Sequence, residues 1–239
     1  MARWERHGTT SNATLTILHY FTSCFQFIGS LVYPWRSLIE VIEFRVWLKN
    51  RFGKVELFRN KEKLLNALIE YSNLELSKSG GAGVFYVEFG VAFGETSRYL
   101  VSGTNVPFVY HGFDTFEGLP KAWRRLPAGA ISNNGQLPNI VGENIHFHKG
   151  LIEETIAQVD FQSPLKKVFI FDFDLYAPTL FALKHVFSEI NQGDIVYFDE
   201  AFDSEERVII ENYFLDKFGY EVIGASPFGL AFKITESKV

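Results

Sequence analysis

The stretch Phe85-Tyr86-Val87-Glu88-Phe89-Gly90-Val91-Ala92-Phe93-Gly94-Glu95-Thr96-Ser97-Arg98-Tyr99 decides how the rest of the chain folds. A short apolar run ends near an acid, two glycines follow four positions apart, and Thr96 and Ser97 precede a helical pattern. The spacing predicts a buried strand, a tight turn and a helix N-terminus, the place where α/β proteins hold nucleotide-like ligands. Glycine removes the Cβ that would keep a ligand off the backbone. Glu88, at the strand's end, is placed to accept hydrogen bonds from a cationic or hydroxyl-bearing ligand.

Two common readings of such a loop fail on spacing. A P-loop needs Lys just before the Thr, where this chain has Glu95, an acid that would repel phosphate. The Gly-x-Gly-x-x-Gly pattern of dinucleotide-binding enzymes is absent, which speaks against a nucleotide-binding oxidoreductase. An acid ahead of the glycines suits a ligand carrying an amino group and a sulfonium, S-adenosylmethionine (SAM). A tight turn with no ligand is the competing account.

At 239 residues the chain can form one sizeable α/β domain with an N-terminal appendage. Its 25 phenylalanines point to a large aromatic core or an apolar interface. A formal net charge of −5 and no long basic run give no support to a nucleic-acid partner. The single cysteine, Cys24, rules out an internal disulfide framework and a cysteine-based zinc cluster, and cytoplasm is the default compartment. From Ser11 to Trp35 no side chain is formally charged. The length could suit a membrane span, but Thr14, Thr16, His19, Thr22, Ser23, Gln26 and Ser30 interrupt it. A helix or hairpin in a dimer interface, or peripheral membrane contact through residues 11–35, is the expectation.

Pro34 can open a helix carrying Leu38, Ile39, Ile42, Val46, Leu48 and Phe52, with Gly53 as its stop. A second amphipathic helix is expected over about Asn60 to Leu76, with Leu64, Leu65, Leu68, Ile69 and Leu74 as its stripe. Ser77 to Gly83 reads as a linker, so residues 1–80 form a helical arm and 81–239 a domain of alternating strands and helices. Strands are expected at Pro107–Asp114, Asn144–His148, Val168–Asp174, Ile195–Glu200, Tyr220–Ile223 and Leu230–Ile234. Helices of about Pro178 to Ile190 and Ser204 to Phe218 lie between the later strands. The alternation predicts a doubly wound, mostly parallel sheet of Rossmann-like type. Prolines 120, 127 and 138 with Gly129, Gly135 and Asn133-Asn134 mark an inserted loop over 119–141, of a length typical of lids.

In such a sheet Glu88, Asp114, Asp172 and the Asp199-Glu200 pair converge at the carboxyl ends of the strands. Asp114 lies at the offset from Gly94 where an acid can meet ribose hydroxyls, and Phe116 beyond it could stack on adenine or simply fill the core. So much negative charge needs a cation or raised pKa values. Asp172, Asp199 and Glu200 offer hard oxygens with no His or Cys beside them, which favours Mg²⁺. Alternatively Asp174 and Glu200 cap the helices that follow.

Gly112-Phe113-Asp114-Thr115-Phe116-Glu117-Gly118-Leu119-Pro120 with Trp123 resembles the signature of the macrocin O-methyltransferase-like family of class I SAM-dependent enzymes. Glu88-x-Gly90-x-x-x-Gly94-x-Thr96-Ser97 is similar to that family's SAM loop. Asp172-x-Asp174-Leu175-Tyr176-x-x-Thr179 is similar to its Asp-x-Asp-Leu-Tyr segment, and Asp199-Glu200 stands where the family usually has Asp-Asp. The resemblance covers about Phe85 to Ala201. It implies Mg²⁺-assisted methyl transfer to a sugar hydroxyl of a glycosylated natural product, in a homodimer or larger assembly.

On that reading Glu88, Gly90, Gly94, Thr96, Ser97, Asp114, Phe116 and Gly150 contact SAM, and Asp172, Asp199 and Glu200 hold Mg²⁺. Asp172 and His148 are the candidate general bases. The rival reading is a non-catalytic SAM-binding module with a membrane-surface or scaffold role.

Overall fold

The chain builds one seven-stranded sheet from β1 (Val84–Phe89), β2 (Phe108–Asp114), β3 (Ile145–Lys149), β4 (Lys166–Phe171), β5 (Ile195–Phe198), β6 (Phe218–Ala225) and β7 (Leu230–Ser237). Their spatial order is β3-β2-β1-β4-β5-β7-β6. Pairs among β1 to β5 are parallel, and β7 runs antiparallel to both β5 and β6. The structure is a computed structural model that describes residues 28–80 and 82–238, with side chains described over 38–77, 80 and 82–238. The doubly wound, mostly parallel sheet expected from the sequence is the fold observed.

Every residue of β1 and β5 is buried, Glu88 of β1 included, as befits largely apolar strands covered on both faces. Phenylalanines stand in register at the ends of four neighbouring strands: Phe113, one residue before the end of β2, and the last residues of β1, β4 and β5, Phe89, Phe171 and Phe198. Their rings stack as a ladder, with centroids 5.4, 5.1 and 5.2 Å apart along the series. Each such pair adds about 0.5–1.5 kcal/mol beyond the area it buries. Because the four phenylalanines stand level, the residues that follow them (Asp114, Gly90, Asp172 and Asp199) emerge side by side. The amides of Gly90, Asp172 and Asp199 donate to the carbonyls of Phe113, Phe89 and Phe171, which fixes these positions.

The helices are α1 (Ile28–Phe52), α2 (Lys61–Ser79), α3 (Glu95–Gly103), α4 (Ile152–Thr155), α5 (Tyr176–His185) and α6 (Ser204–Ile209), the last followed by a π turn over Ile210–Phe214. α1 begins at Ile28, ahead of Pro34, and Gly53 follows it at φ +74. Two compact units divide at Ile42/Glu43. Within the second, Phe44 and Leu48 of α1 join the core, and Trp47 donates to Glu211 at 2.7 Å.

α2 is capped by Asn60, whose side chain accepts from the Lys63 amide, and it closes on left-handed Gly80. Its Leu64, Leu65, Leu68, Ile69 and Leu76 pack with Tyr86, Tyr110, Val168 and Ile170 of the sheet, while Leu74 is exposed. The turn at 77–83 therefore ends a helix that lies on the sheet. β4 and β5 are shorter than expected, ending at Phe171 and Phe198, so the acids stand beyond the strands. The uncharged stretch 11–35 lies mostly outside the described residues. Among those described, no helix is long and apolar enough to cross a membrane.

Candidate active site

Past the phenylalanine ladder the strands open onto a cavity of about 600 Å³, lined by Gly90, Ala92, Asp114, Gly150, Asp172 and Asp174 among others. It sits where the strand order reverses between β1 and β4, the crevice in which open α/β sheets bind ligands. Leu119, Pro120, Lys121 and Ile131 of the inserted loop form part of its wall. That loop is knitted together: the Leu119 amide donates to the Ala130 carbonyl, the Gly129 amide to the Leu119 carbonyl, and the Asn133 and Gly135 amides to the Phe116 carbonyl.

Asp114 holds the glycine-rich turn. Its Oδ2 accepts from the amides of Val91 and Ala92, each at 2.8 Å, and its Oδ1 accepts from the Phe116 amide at 2.6 Å. The carboxylate thus shapes the loop while its remaining lone pairs stay available to ligand hydroxyls. Gly90 is glycine for a structural reason: at φ +92, a Cβ there would lie 1.9 Å from the Asp172 carbonyl oxygen. Gly94, at φ +75, caps α3, and a Cβ there would crowd Pro138 of the inserted loop at 2.7 Å.

At the other side of the cavity the acids gather around a residue that sequence reasoning missed. Lys61, the first residue of α2, donates from Nζ to Asp172 Oδ2 at 2.8 Å and to Asp199 Oδ2 at 2.7 Å. Burial works to lower its pKa, but the two carboxylates more than offset this and hold it well above the ordinary value. Asp199 also accepts from the Tyr197 hydroxyl. One carboxylate oxygen each from Asp172, Asp174 and Glu200 lies within 4.8 Å of the others, the geometry of a cation site. The structure thus places Asp172 and Glu200 together as expected, but Asp174 completes the group, and Asp199 faces Lys61 and Tyr197.

Burial, and then the charge of Asp199, pushes Asp172 well above the usual carboxylate range; the same two causes raise Asp174 to about 6. Glu200 and Glu206 are raised well above the usual range by burial and then by neighbouring acids. Oε2 of Glu200 and of Glu206 is buried with no hydrogen-bond partner among the described residues. A buried, unpartnered carboxylate oxygen on a residue of this acidic group fits a divalent cation with oxygen ligands.

Of the residues expected to contact SAM, Gly90, Asp114 and Gly150 line the cavity. Glu88 does not: its side chain is buried and accepts from Ser97 Oγ at 2.9 Å and Tyr110 OH at 2.5 Å. Burial raises it to about 7, against the pull of Tyr110 and Ser97. Thr96 and Ser97 are buried at the start of α3, and Gly94 is absent from the lining. Phe116, at φ +57, is fully buried against Phe147, so the core account of it prevails over adenine stacking. His148 lies outside the lining, with Nε2 2.8 Å from His111 Nδ1 and its ring stacked on Phe113. Burial lowers its pKa, as it does that of His111, which falls to about 4.

No family model matches the chain, and no curated protein matches it in sequence. Solved structures do match in fold. CalS11, a calicheamicin methyltransferase, superposes with a TM-score of 0.54 at 17% identity, over 82% of this chain and 91% of its own. The apo structure of CalS11, described as a TDP-rhamnose 3'-O-methyltransferase, gives 0.48 at 18% identity over 82% and 93%. Cofactor-bound Rv0187 from MTB gives 0.48 at 9% identity over 84% and 88%. The sheet order, its single antiparallel strand and the CalS11 superposition at a TM-score of 0.54 establish that the chain has the Rossmann-like methyltransferase fold.

Proposed function

We propose that the chain is a SAM-dependent O-methyltransferase that acts on a hydroxyl of a sugar or glycosylated small molecule. The observation that carries this reading is one cavity with the Asp114-tied turn on one side and Asp172 and Asp174 on the other, the two acids that group with Glu200 behind them. Its volume falls in the range of small-molecule sites. The macrocin-type motifs over Phe85 to Ala201 and the fold shared with CalS11, a sugar methyltransferase, support the substrate class.

SAM, when bound, supplies an electrophilic methyl group, and Mg²⁺ held by Asp172, Asp174 and Glu200 would supply Lewis acidity toward the acceptor oxygen. The chain's own residues do the rest. Asp114 and the backbone of Gly90 and Ala92 shape the donor side of the cavity, with Gly150 close by. The walls from Leu119 to Ile131 exclude water and position the acceptor. Asp172 borders the cavity, which puts its carboxylate within reach of an acceptor hydroxyl and makes it the candidate for accepting the hydroxyl proton. His148 is not assigned this part.

The test is calorimetry with SAM, alongside transfer of labelled methyl to nucleoside-diphosphate sugars and glycosides, with and without chelator. Binding and metal-dependent transfer support the proposal; binding without transfer to any acceptor favours a non-catalytic SAM module. The reading of the N-terminal region as an interface rests on α1, where Leu38, Ile39, Ile42 and Val46 are exposed. Sedimentation should give a dimer or larger species, and a monomer with liposome flotation would replace that with membrane contact.

A further inference from the structure

We propose that Lys61 is a resident counter-ion that competes with a divalent cation for Asp199 and so confines the metal to Asp172, Asp174 and Glu200. The inference deepens the reading above and rests on its cation site, but not on methyl transfer itself. Lys61 Nζ lies 2.8 Å from Asp172 Oδ2 and 2.7 Å from Asp199 Oδ2. A divalent ion shared by those two oxygens would sit about 2.1 Å from each, in the space the ammonium fills. The two cations exclude one another there. Asp199 is further committed by the hydroxyl of Tyr197. Asp172 and Glu200, by contrast, form a ligand group with Asp174, and one oxygen of Glu200 is without a partner among the described residues.

The place of Lys61 in the fold argues the same way. It is the first residue of α2, where the helix dipole disfavours a positive charge. The carboxylates past β4 and β5 supply what the helix end does not. Lys61 lies 111 residues from Asp172 and 138 from Asp199 in sequence, so the contact ties α2 to the strand ends at the site. Lys61 is on this account a positioning residue: it holds the Asp172 and Asp199 side chains and decides which acids a metal can reach.

The test is Mn²⁺ binding, read by calorimetry and by electron paramagnetic resonance, with circular dichroism as a check on folding. Lys61→Met should bind Mn²⁺ at least about tenfold more tightly than the wild type, because a like charge leaves the site. Adding Asp199→Asn should abolish that gain, and Lys61→Arg should behave as wild type. A Lys61→Met protein that binds Mn²⁺ no more tightly overturns the proposal, as does an absence of binding in every variant. Should Lys61→Met fail to fold, Asp199→Asn alone decides: a loss of Mn²⁺ affinity below about 100-fold, the most an outer-shell partner costs, supports the proposal, and a larger loss, as for a direct ligand, overturns it. SAM binding and methyl transfer are scored separately, so failure of the enzyme reading leaves the competition result standing or falling on its own.

Discussion

Gly90 faces the main chain of Asp172 so closely that a Cβ built on it would stand 1.9 Å from the Asp172 carbonyl oxygen and 2.5 Å from the carbonyl carbon. The neighbour is backbone, so it cannot swing away as a flexible side chain would. Gly90→Ala must separate the ends of β1 and β4 and also hold a side chain at φ +92. The expected loss is about 3 kcal/mol or more in urea denaturation, with SAM binding lost because Asp172 is displaced from the cavity wall. A variant with wild-type midpoint and affinity would show that the strands are free to part.

Asp114 invites a different test, since its partners are two amides of the glycine-rich turn and the amide of Phe116 just beyond its own strand. Asp114→Ala leaves the amides of Val91, Ala92 and Phe116 without their acceptor, at a cost of roughly 1–3 kcal/mol for each one that water cannot reach. The turn should loosen, and SAM affinity should fall at least about tenfold, a change worth ~1.4 kcal/mol. Asp114→Asn keeps one acceptor oxygen and should lie between. Calorimetry with SAM and urea midpoints for both variants check this.

These two residues were placed from sequence alone, and the reason is local. β1, β4 and β5 are short, mostly apolar stretches ending in phenylalanine, so the strands, their parallel arrangement and the acids beyond them could all be read within a dozen residues. Lys61 could not be. Its partners lie 111 and 138 residues away, and an exposed-looking lysine at a helix start carries no mark of its destination. Glu88 was legible as an acid at a strand end, but Ser97 and Tyr110, from the next helix and the neighbouring strand, draw it into the core. Asp174 looked like a helix cap because the chain turns there; at φ +61 the backbone carries it into the acid group instead.

The burial of Glu88 sets the sign of a pH effect. Its ordinary pKa is 4.5 and its folded-state value is about 7. Between these values an unfolded chain releases the proton that the folded chain keeps. Stability therefore falls as pH rises through this window, and the full cost, on the order of 3 kcal/mol, is present above about pH 7. Glu88→Gln removes the ionisation. Relative to the wild type it should gain stability between pH 5 and pH 8, flattening the fall. Urea midpoints measured at pH 5, 6, 7 and 8 check this, and a wild-type slope of the opposite sign would show that Glu88 is ionised in the folded protein.

Glu200 provides the test of the cation site that is independent of turnover. Its Oε2 is buried without a partner among the described residues, and its carboxyl is raised well above the usual range by burial and then by Asp172 and Asp199. A divalent cation binding only the folded protein stabilises it by about 2.7 kcal/mol at a hundredfold excess over Kd, so Mg²⁺ or Mn²⁺ should raise the wild-type Tm by a few degrees. Glu200→Gln lowers the number of acids competing for charge in one buried group, so its metal-free Tm should equal or exceed that of the wild type. The same substitution removes a ligand, so the rise on adding metal should shrink or vanish. The two shifts have opposite signs, which separates a lost ligand from a damaged fold. Equal metal-induced rises in both proteins would mean that the cation is held somewhere other than at Asp172, Asp174 and Glu200.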